Sequence, residues 1–205
     1  MPTLPARGVI FDLDGTLVDS GLDFARMRSE LGIPPGVPIL EALADMADED
    51  AAACFEKLHE HEEQGVQRAT PMPHVEKFLA ALTGRSVLQA VLTRNRRAIA
   101  RQTLERLAML MDPVLGREDA PAKPDPAAIH RICEIWGLTV DEVVVIGDYH
   151  FDIDAGRNAG ARTVLYARGR DPAKLRWAAR ADYILPCFSQ HECLLAWLEG
   201  GDGGR

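Results

Sequence analysis

Short, continuous apolar runs alternate with amphipathic stretches through most of the chain. The runs are Val9-Ile10-Phe11, Val91-Leu92 with Val87-Leu88 just before it, Val143 to Ile146, Val164-Leu165-Tyr166 and Tyr183-Ile184-Leu185. They are unbroken rather than alternating, the pattern of parallel strands buried on both faces. Between them, Ile129, Ile132, Cys133 and Trp136 form the i, i+3, i+4, i+7 stripe of an amphipathic helix. Asp125 and Pro126 supply its predicted N-cap and first-turn residues, and Gly137 its stop. Strand–helix alternation with short connections predicts an α/β fold, a doubly wound parallel sheet with right-handed crossovers. Ligands of such sheets bind beyond the carboxyl ends of the strands.

From Ser20 to Pro71 the alternation stops and only helical pattern remains. Ser20 is placed to cap a helix with Phe24, Met27 and Leu31 on one face, ended by Gly32 and Pro34-Pro35. A second, strongly charged helix is predicted through Phe55, Leu58 and the Glu-rich segment to about Ala69. The predicted organisation is therefore a core of residues 1–19 and 72–199, a small all-helical insertion at 20–71 after the first strand, and a flexible Gly-rich tail at 200–205. The hinges of the insertion fall at Asp19-Ser20 and Thr70-Pro71-Met72-Pro73.

Composition narrows the partners. The 205 residues are 47% hydrophobic and 26% charged, ordinary values for a globular chain. Twenty-three Lys and Arg against 31 Asp and Glu leave a net charge of −8, which disfavours nucleic acid as a partner. No apolar run approaches the about 20 residues of a membrane-spanning helix, and the first residues lack a signal peptide's apolar stretch. The expectation is a soluble, cytoplasmic chain with no membrane partner. Cys54, Cys133, Cys187 and Cys193 are scattered, with no Cys-x-x-Cys pair, and Cys133 reads as a small core residue. His59 and His61 are two apart on a predicted helix, so they cannot chelate one ion together and read as solvated surface residues.

The chemistry gathers at strand ends. The first run closes in Asp12-Leu13-Asp14-Gly15-Thr16. In extended chain Asp12 and Asp14 share one face, and two carboxylates so close repel unless a cation or a proton intervenes. Thr93 ends the second run with a hydroxyl, and Arg94-Asn95 then open a helix, a combination suited to binding an anion. Lys123 sits in Ala122-Lys123-Pro124-Asp125 at the start of the next helix. Asp148 and Asp152 follow the run that ends in Gly147.

On these four motifs the chain resembles the haloacid dehalogenase superfamily hydrolases of the phosphatase kind, and is similar to phosphoglycolate phosphatases, over roughly residues 7–19 and 73–186. The resemblance implies a Rossmann-like core with a small helical cap inserted after the first strand. It implies Mg²⁺ as cofactor and a small phosphorylated metabolite as substrate. Residue by residue, it makes Asp12 the nucleophile and Asp14 the general acid and base. Thr93 and Lys123 bind the phosphoryl group, and Arg94 beside them is a further phosphate-binding candidate. Asp12, Asp148 and the backbone carbonyl of Asp14 hold the metal, with Asp152 either direct or behind it. The carboxylate at position 14 points to phosphate esters, because the superfamily's dehalogenases, whose leaving halide needs no proton, lack it. Mutases of the β-phosphoglucomutase kind share the motifs and are the nearest enzymatic alternative. A receiver-like phospho-acceptor module also phosphorylates an Asp beside Mg²⁺, but it has no helical insertion after its first strand.

Some features depart from the family. The insertion, about 50 residues, is short for such a cap, and the bulky Tyr149 stands where small polar residues are common, followed by His150. Arg28 borders the predicted buried edge of the first cap helix and is the candidate for a cap residue that reaches the substrate. The physiological substrate and the oligomeric state are not legible in the sequence.

Overall fold

The structure is a computed structural model that describes residues 4–201. Along the chain run β1 (Gly8–Phe11), β2 (Val18–Asp19), α1 (Phe24–Glu30), α2 (Ile39–Ala44), α3 (Asp48–Arg68) and β3 (Thr70–Pro71). Next come α4 (Val75–Thr83), β4 (Leu88–Leu92), α5 (Arg97–Arg106), β5 (Val114–Leu115) and α6 (Ala127–Trp136). The chain closes with β6 (Val143–Gly147), α7 (His150–Ala159), β7 (Arg162–Tyr166), β8 (Tyr183–Leu185) and α8 (His191–Leu198).

Six of these strands form one parallel sheet in the order β5-β4-β1-β6-β7-β8. Every residue of β1 and β6 is buried, because both lie inside the sheet and under helices on both faces. The side chains of β1 show the two layers directly. Val9 and Phe11 pack on one face with Phe78 and Leu82 of α4, Leu104 of α5 and Leu195 of α8. Ile10 packs on the other with Ile129 and Ile132 of α6 and Ala155 of α7. This is the doubly wound arrangement. The strand order reverses direction around β1, so the carboxyl ends of β4, β1 and β6 lie side by side, where such sheets bind their ligands.

A second compact unit is Ser20–Ala69, with the rest of the described chain forming the first. It has its own small core of Met27, Leu31, Ile33, Ile39, Leu43 and Leu58. Thr70 and Pro71 pair antiparallel with Asp19 and Val18, so the two ends of the insertion meet in a two-stranded ribbon that belongs with the sheet unit.

Several local expectations need correction. The first helix is capped by Asp23, not Ser20: its carboxylate accepts from the backbone N–H of Ala25 and Arg26. Phe24, the first residue of that helix, is 47% exposed, whereas Met27 and Leu31 are buried. Helix α2 and strand β5 were not legible: both are too short to set up a period. Helix α6 begins one residue later than expected, at Ala127, yet Asp125 still serves it by accepting from the Ala127 N–H at 2.8 Å. His59 and His61 are half-buried and paired rather than solvated. His61 Nε2 lies 2.7 Å from Glu30, bracing α3 to α1, and His59 Nε2 lies 3.3 Å from Glu63. Cys133 is buried in the core as expected. Of the tail, Gly200 and Gly201 are described, and residues 202–205 lie outside the described residues. Among the described residues, no helix is long and apolar enough to cross a membrane.

Candidate active site

Each motif residue leaves a buried element at the same edge of the sheet. Asp12 continues β1 by one residue, its N–H donating to the Ile146 carbonyl at 2.9 Å. The chain then turns sharply: Gly15 has φ +85°, and its N–H donates to the Val18 carbonyl. A Cβ at Gly15 would come within 2.8 Å of the Asp148 carboxylate, so glycine is required for space as well as for conformation. The same holds at Gly147, where a Cβ would fall 2.2 Å from the side chain of Asp152. These two glycines let the backbones after β1 and β6 close around the carboxylates.

Lys123 is the hub. It is 3% exposed, and its Nζ donates to Asp12 Oδ1 at 2.6 Å, Asp152 Oδ1 at 2.6 Å and the Leu92 carbonyl at 2.8 Å. All three ammonium hydrogens are therefore placed. Burial works to lower the lysine's pKa, but Asp12 and Asp152 outweigh it, and the group is held above its usual value. Asp152 is buried in the first turn of α7; its second oxygen accepts from the Tyr149 N–H at 3.1 Å. Thr93 is buried directly after β4, and its Oγ1 accepts from the Asn95 N–H at 3.1 Å. Arg94 stacks its guanidinium 4.2 Å from the ring centroid of Phe151 and donates to the Lys123 carbonyl at 2.6 Å. The arginine thus braces the loop that presents the lysine.

One ligand oxygen from each of Asp12, Asp148 and Asp152 falls within 4.8 Å of the others. Burial raises the pKa of Asp12; Lys123 opposes this, and the neighbouring Asp152 and Asp148 carboxylates add to it. Asp148 is pushed up to about 6 by burial and by Asp152, against the pull of Arg170 and Arg168. Burial and mutual repulsion thus both disfavour the charged forms of Asp12 and Asp148. Three convergent, oxygen-only donors whose carboxylates repel one another fit a hard divalent cation such as Mg²⁺.

The structure thus brings Asp12, Thr93, Arg94, Lys123, Asp148 and Asp152 to one edge. Asp14 joins them through a different partner: its Oδ2 accepts from Asn95 Nδ2 at 2.5 Å. Arg28 lies on α1 in the other compact unit, half-buried beside Met27. Tyr149 and His150 pack with each other and with Trp177, the ring centroids of Tyr149 and Trp177 lying 5.0 Å apart.

Three residues of the site were not read from the sequence. Arg170 Nη2 donates both to the Asp148 carbonyl, at 2.9 Å, and to Asp148 Oδ2, at 3.2 Å, while its Nε holds the Ala167 carbonyl. Arg168 brings a second guanidinium to 3.5 Å from the same oxygen, from a backbone with φ +56°. The signal was present, since both follow directly on β7, but its only sign was the position. Asn95 is 81 residues from Asp14, and no local pattern pairs them.

A doubly wound sheet with an aspartate–lysine centre at its switch point defines a class, and comparison with known proteins identifies it. The family model for haloacid dehalogenase-like hydrolases matches residues 29–166, a span that includes Thr93, Lys123, Asp148 and Asp152. A haloacid dehalogenase-like hydrolase domain-containing protein of Arabidopsis thaliana is 32% identical over 78% of this chain and 70% of its own length. A phosphoglycolate phosphatase (plasmid) of Cupriavidus necator is 33% identical over 89% of this chain and 91% of its own. In fold, a haloacid dehalogenase-like hydrolase of Streptococcus pneumoniae superposes with a TM-score of 0.72 at 22% identity, covering 96% of this chain and 99% of that one. The chain belongs to the haloacid dehalogenase-like hydrolases. Its class of activity is the hydrolysis of phosphoric monoesters.

Proposed function

We propose that this hydrolase is a Mg²⁺-dependent phosphatase of small phosphorylated metabolites, phosphoglycolate-like in substrate, working through an aspartyl-phosphate on Asp12. The observation that carries the reading is the buried Lys123 bridging Asp12 and Asp152, with Asp148 within reach of the same point. Asp12, Asp148 and the backbone carbonyl of Asp14 would hold the ion, and Asp152 would either join them or serve by holding Lys123. Bound there, the ion offsets the charge of the carboxylates and of the phosphate oxygens.

Phosphate monoesters are among the slowest compounds to hydrolyse, so the site must supply upwards of about 20 kcal/mol. Asp12 attacks phosphorus, the bond to the leaving oxygen breaks, and Asp14 gives that oxygen its proton. Asp14 then takes a proton from the water that attacks the aspartyl-phosphate, freeing phosphate and restoring Asp12. Lys123 and the Thr93 hydroxyl meet the phosphate oxygens, with Arg94 beside them. Arg28 is the helical unit's candidate for contact with the rest of the substrate. The four cysteines are free thiols, in keeping with work in the reducing cytoplasm.

The test is a screen of purified protein against a panel of phosphorylated metabolites and an aryl phosphate, with Mg²⁺ and with chelator. Phosphate release that needs the metal and favours a small phosphorylated acid is expected. Full activity in metal-free buffer would contradict the reading, and phosphoryl transfer within a sugar phosphate without phosphate release would mark a mutase.

A further inference from the structure

The turn after β7 carries two cations that bear on one carboxylate of the neighbouring strand's end. β6 and β7 lie side by side, with Gly147 opposite Leu165, so the residues that follow them meet at the edge of the sheet. The Arg170 N–H donates to the Ala167 carbonyl at 2.9 Å and closes a tight turn whose central residues, Arg168 and Gly169, have φ of +56° and +72°. The turn is anchored to β8 and the residue after it: the Ala167 N–H donates to the Leu185 carbonyl and the Gly169 N–H to the Pro186 carbonyl, both at 2.8 Å. From this base the Arg170 guanidinium spans two strand ends. Its Nε donates back to the Ala167 carbonyl at 2.9 Å, while Nη2 donates to the Asp148 carbonyl at 2.9 Å and to Asp148 Oδ2 at 3.2 Å. A planar fork with its donors at fixed angles holds a carboxylate in one place, which a point charge on a flexible stem does not. Arg168 Nη1 lies farther off, 3.5 Å from the same oxygen.

We propose that Arg170 is a positioning residue for the metal site: it holds Asp148 in the place from which its carboxylate meets Mg²⁺. The proposal rests on the reading of Asp148 as a Mg²⁺ ligand. Oxygens of Asp12, Asp148 and Asp152 come within 4.8 Å of one another, and like charges so close push apart. An Asp148 side chain with no such support would relieve the repulsion by turning to another rotamer, and an incoming ion would have to bring it back. Held by Arg170, the carboxylate is in place beforehand, and metal binding meets less of that cost. The bond to the Asp148 carbonyl matters as much as the one to Oδ2, because it fixes the start of the side chain as well as its end. The guanidinium also carries a charge that repels Mg²⁺. Its two effects therefore have opposite signs: placement tightens metal binding, and charge weakens it.

The test titrates Mg²⁺ into the metal-free protein at constant ionic strength and reads the affinity from the rise in melting temperature, and separately from the Mg²⁺ dependence of aryl phosphate hydrolysis. Arg170→Ala is expected to weaken Mg²⁺ binding by about 10- to 100-fold, the usual worth of a group that holds a metal ligand, with kcat at saturating Mg²⁺ falling by less. Arg170→Lys keeps the charge without the fork and should also bind Mg²⁺ more weakly than the wild type; it carries the comparison alone should Arg170→Ala not fold. Arg168→Ala removes the more distant cation and should bind Mg²⁺ as tightly as the wild type or more so, because one like charge is gone. A Mg²⁺ affinity of Arg170→Ala equal to or above the wild type would overturn the proposal, and so would full wild-type affinity in Arg170→Lys or an equal weakening by Arg168→Ala. A lower melting temperature in Arg170→Ala with an unchanged Mg²⁺ titration would mark a role in stability alone and overturn it as well. If Asp148→Asn kept the wild-type Mg²⁺ shift, the metal reading of Asp148 would fall first and the proposal with it. Loss of the shift in Asp148→Asn but not in Arg170→Ala would sink the proposal alone.

Discussion

Asp12 and Asp14 stand two positions apart, yet the fold gives them different partners. Asp12 meets a buried ammonium and two more carboxylates; burial and those carboxylates disfavour its charged form, which Lys123 supports. Asp14 accepts from the Asn95 side-chain amide, a contact Asp12 does not share. The distinction predicts different losses. Asp14→Asn should lower turnover by about 10²–10⁴-fold, the usual worth of a general acid–base group, and least for substrates with good leaving groups. The check is steady-state kinetics over a series of phosphates of graded leaving-group pKa. An equal and complete loss for every leaving group would contradict the role of Asp14. At this scale Asp12, Asp14, Thr93, Asp148 and Asp152 were legible because they follow the ends of apolar runs, and Lys123 because its Lys-Pro-Asp stretch opens the next helix. Asn95, Arg168 and Arg170 were not, because their partners lie across the sheet edge rather than along the chain.

The elements that carry the site are the ones whose residues leave no choice of structure. The four-residue run Val143 to Ile146 reads as nothing but a buried strand, and β6 adds only Gly147 to it. Strand β5, with two residues, and α2, with six, are made by packing against neighbours rather than by their own period, which is why no local signal marks them. One short element ties the sheet's base together. A 3₁₀ turn, Val140–Glu142, enters β6, and Glu142 accepts from the Thr139 N–H and hydroxyl, each at 2.9 Å, and from Arg7 Nη1 at 2.7 Å. The Thr139 N–H, then Arg7, then the Thr139 hydroxyl lower the Glu142 pKa from 4.5 to about 2. Because the folded pKa is the lower one, the stabilisation is present above pH 4.5 and is lost as pH falls toward 2. Glu142→Gln should therefore melt below the wild type at pH 7, with the gap closing as pH falls through that window. Thermal unfolding across pH measures it, and a gap independent of pH would show that the charge is not what matters.

For the molecule as a whole, the outline of a doubly wound core interrupted by helices was legible in the change from strand–helix alternation to pure helical pattern at Ser20. The detail inside Ser20–Ala69 was less so. There the capping residue lies three positions beyond the expected one, and the first apolar residue of the helix faces water. The acidic cluster also has a global consequence. On the proposed function Mg²⁺ binds the folded site and hardly at all the unfolded chain, so it should raise the melting temperature. At ten times its dissociation constant the linkage is about 1.4 kcal/mol, or about 3–6 °C for a chain of this size. Asp148→Asn should remove most of that shift at constant ionic strength; an identical shift in both proteins would place the ion elsewhere. The central claim is that the phosphoryl group passes through Asp12. Rapid acid quench of the enzyme turning over an aryl phosphate with Mg²⁺, followed by peptide mass spectrometry, tests it most directly. The account predicts a phosphoryl adduct on the peptide that carries Asp12, absent in Asp12→Asn, which should also have lost turnover. Undiminished turnover by Asp12→Asn, or an adduct on another residue, would contradict it.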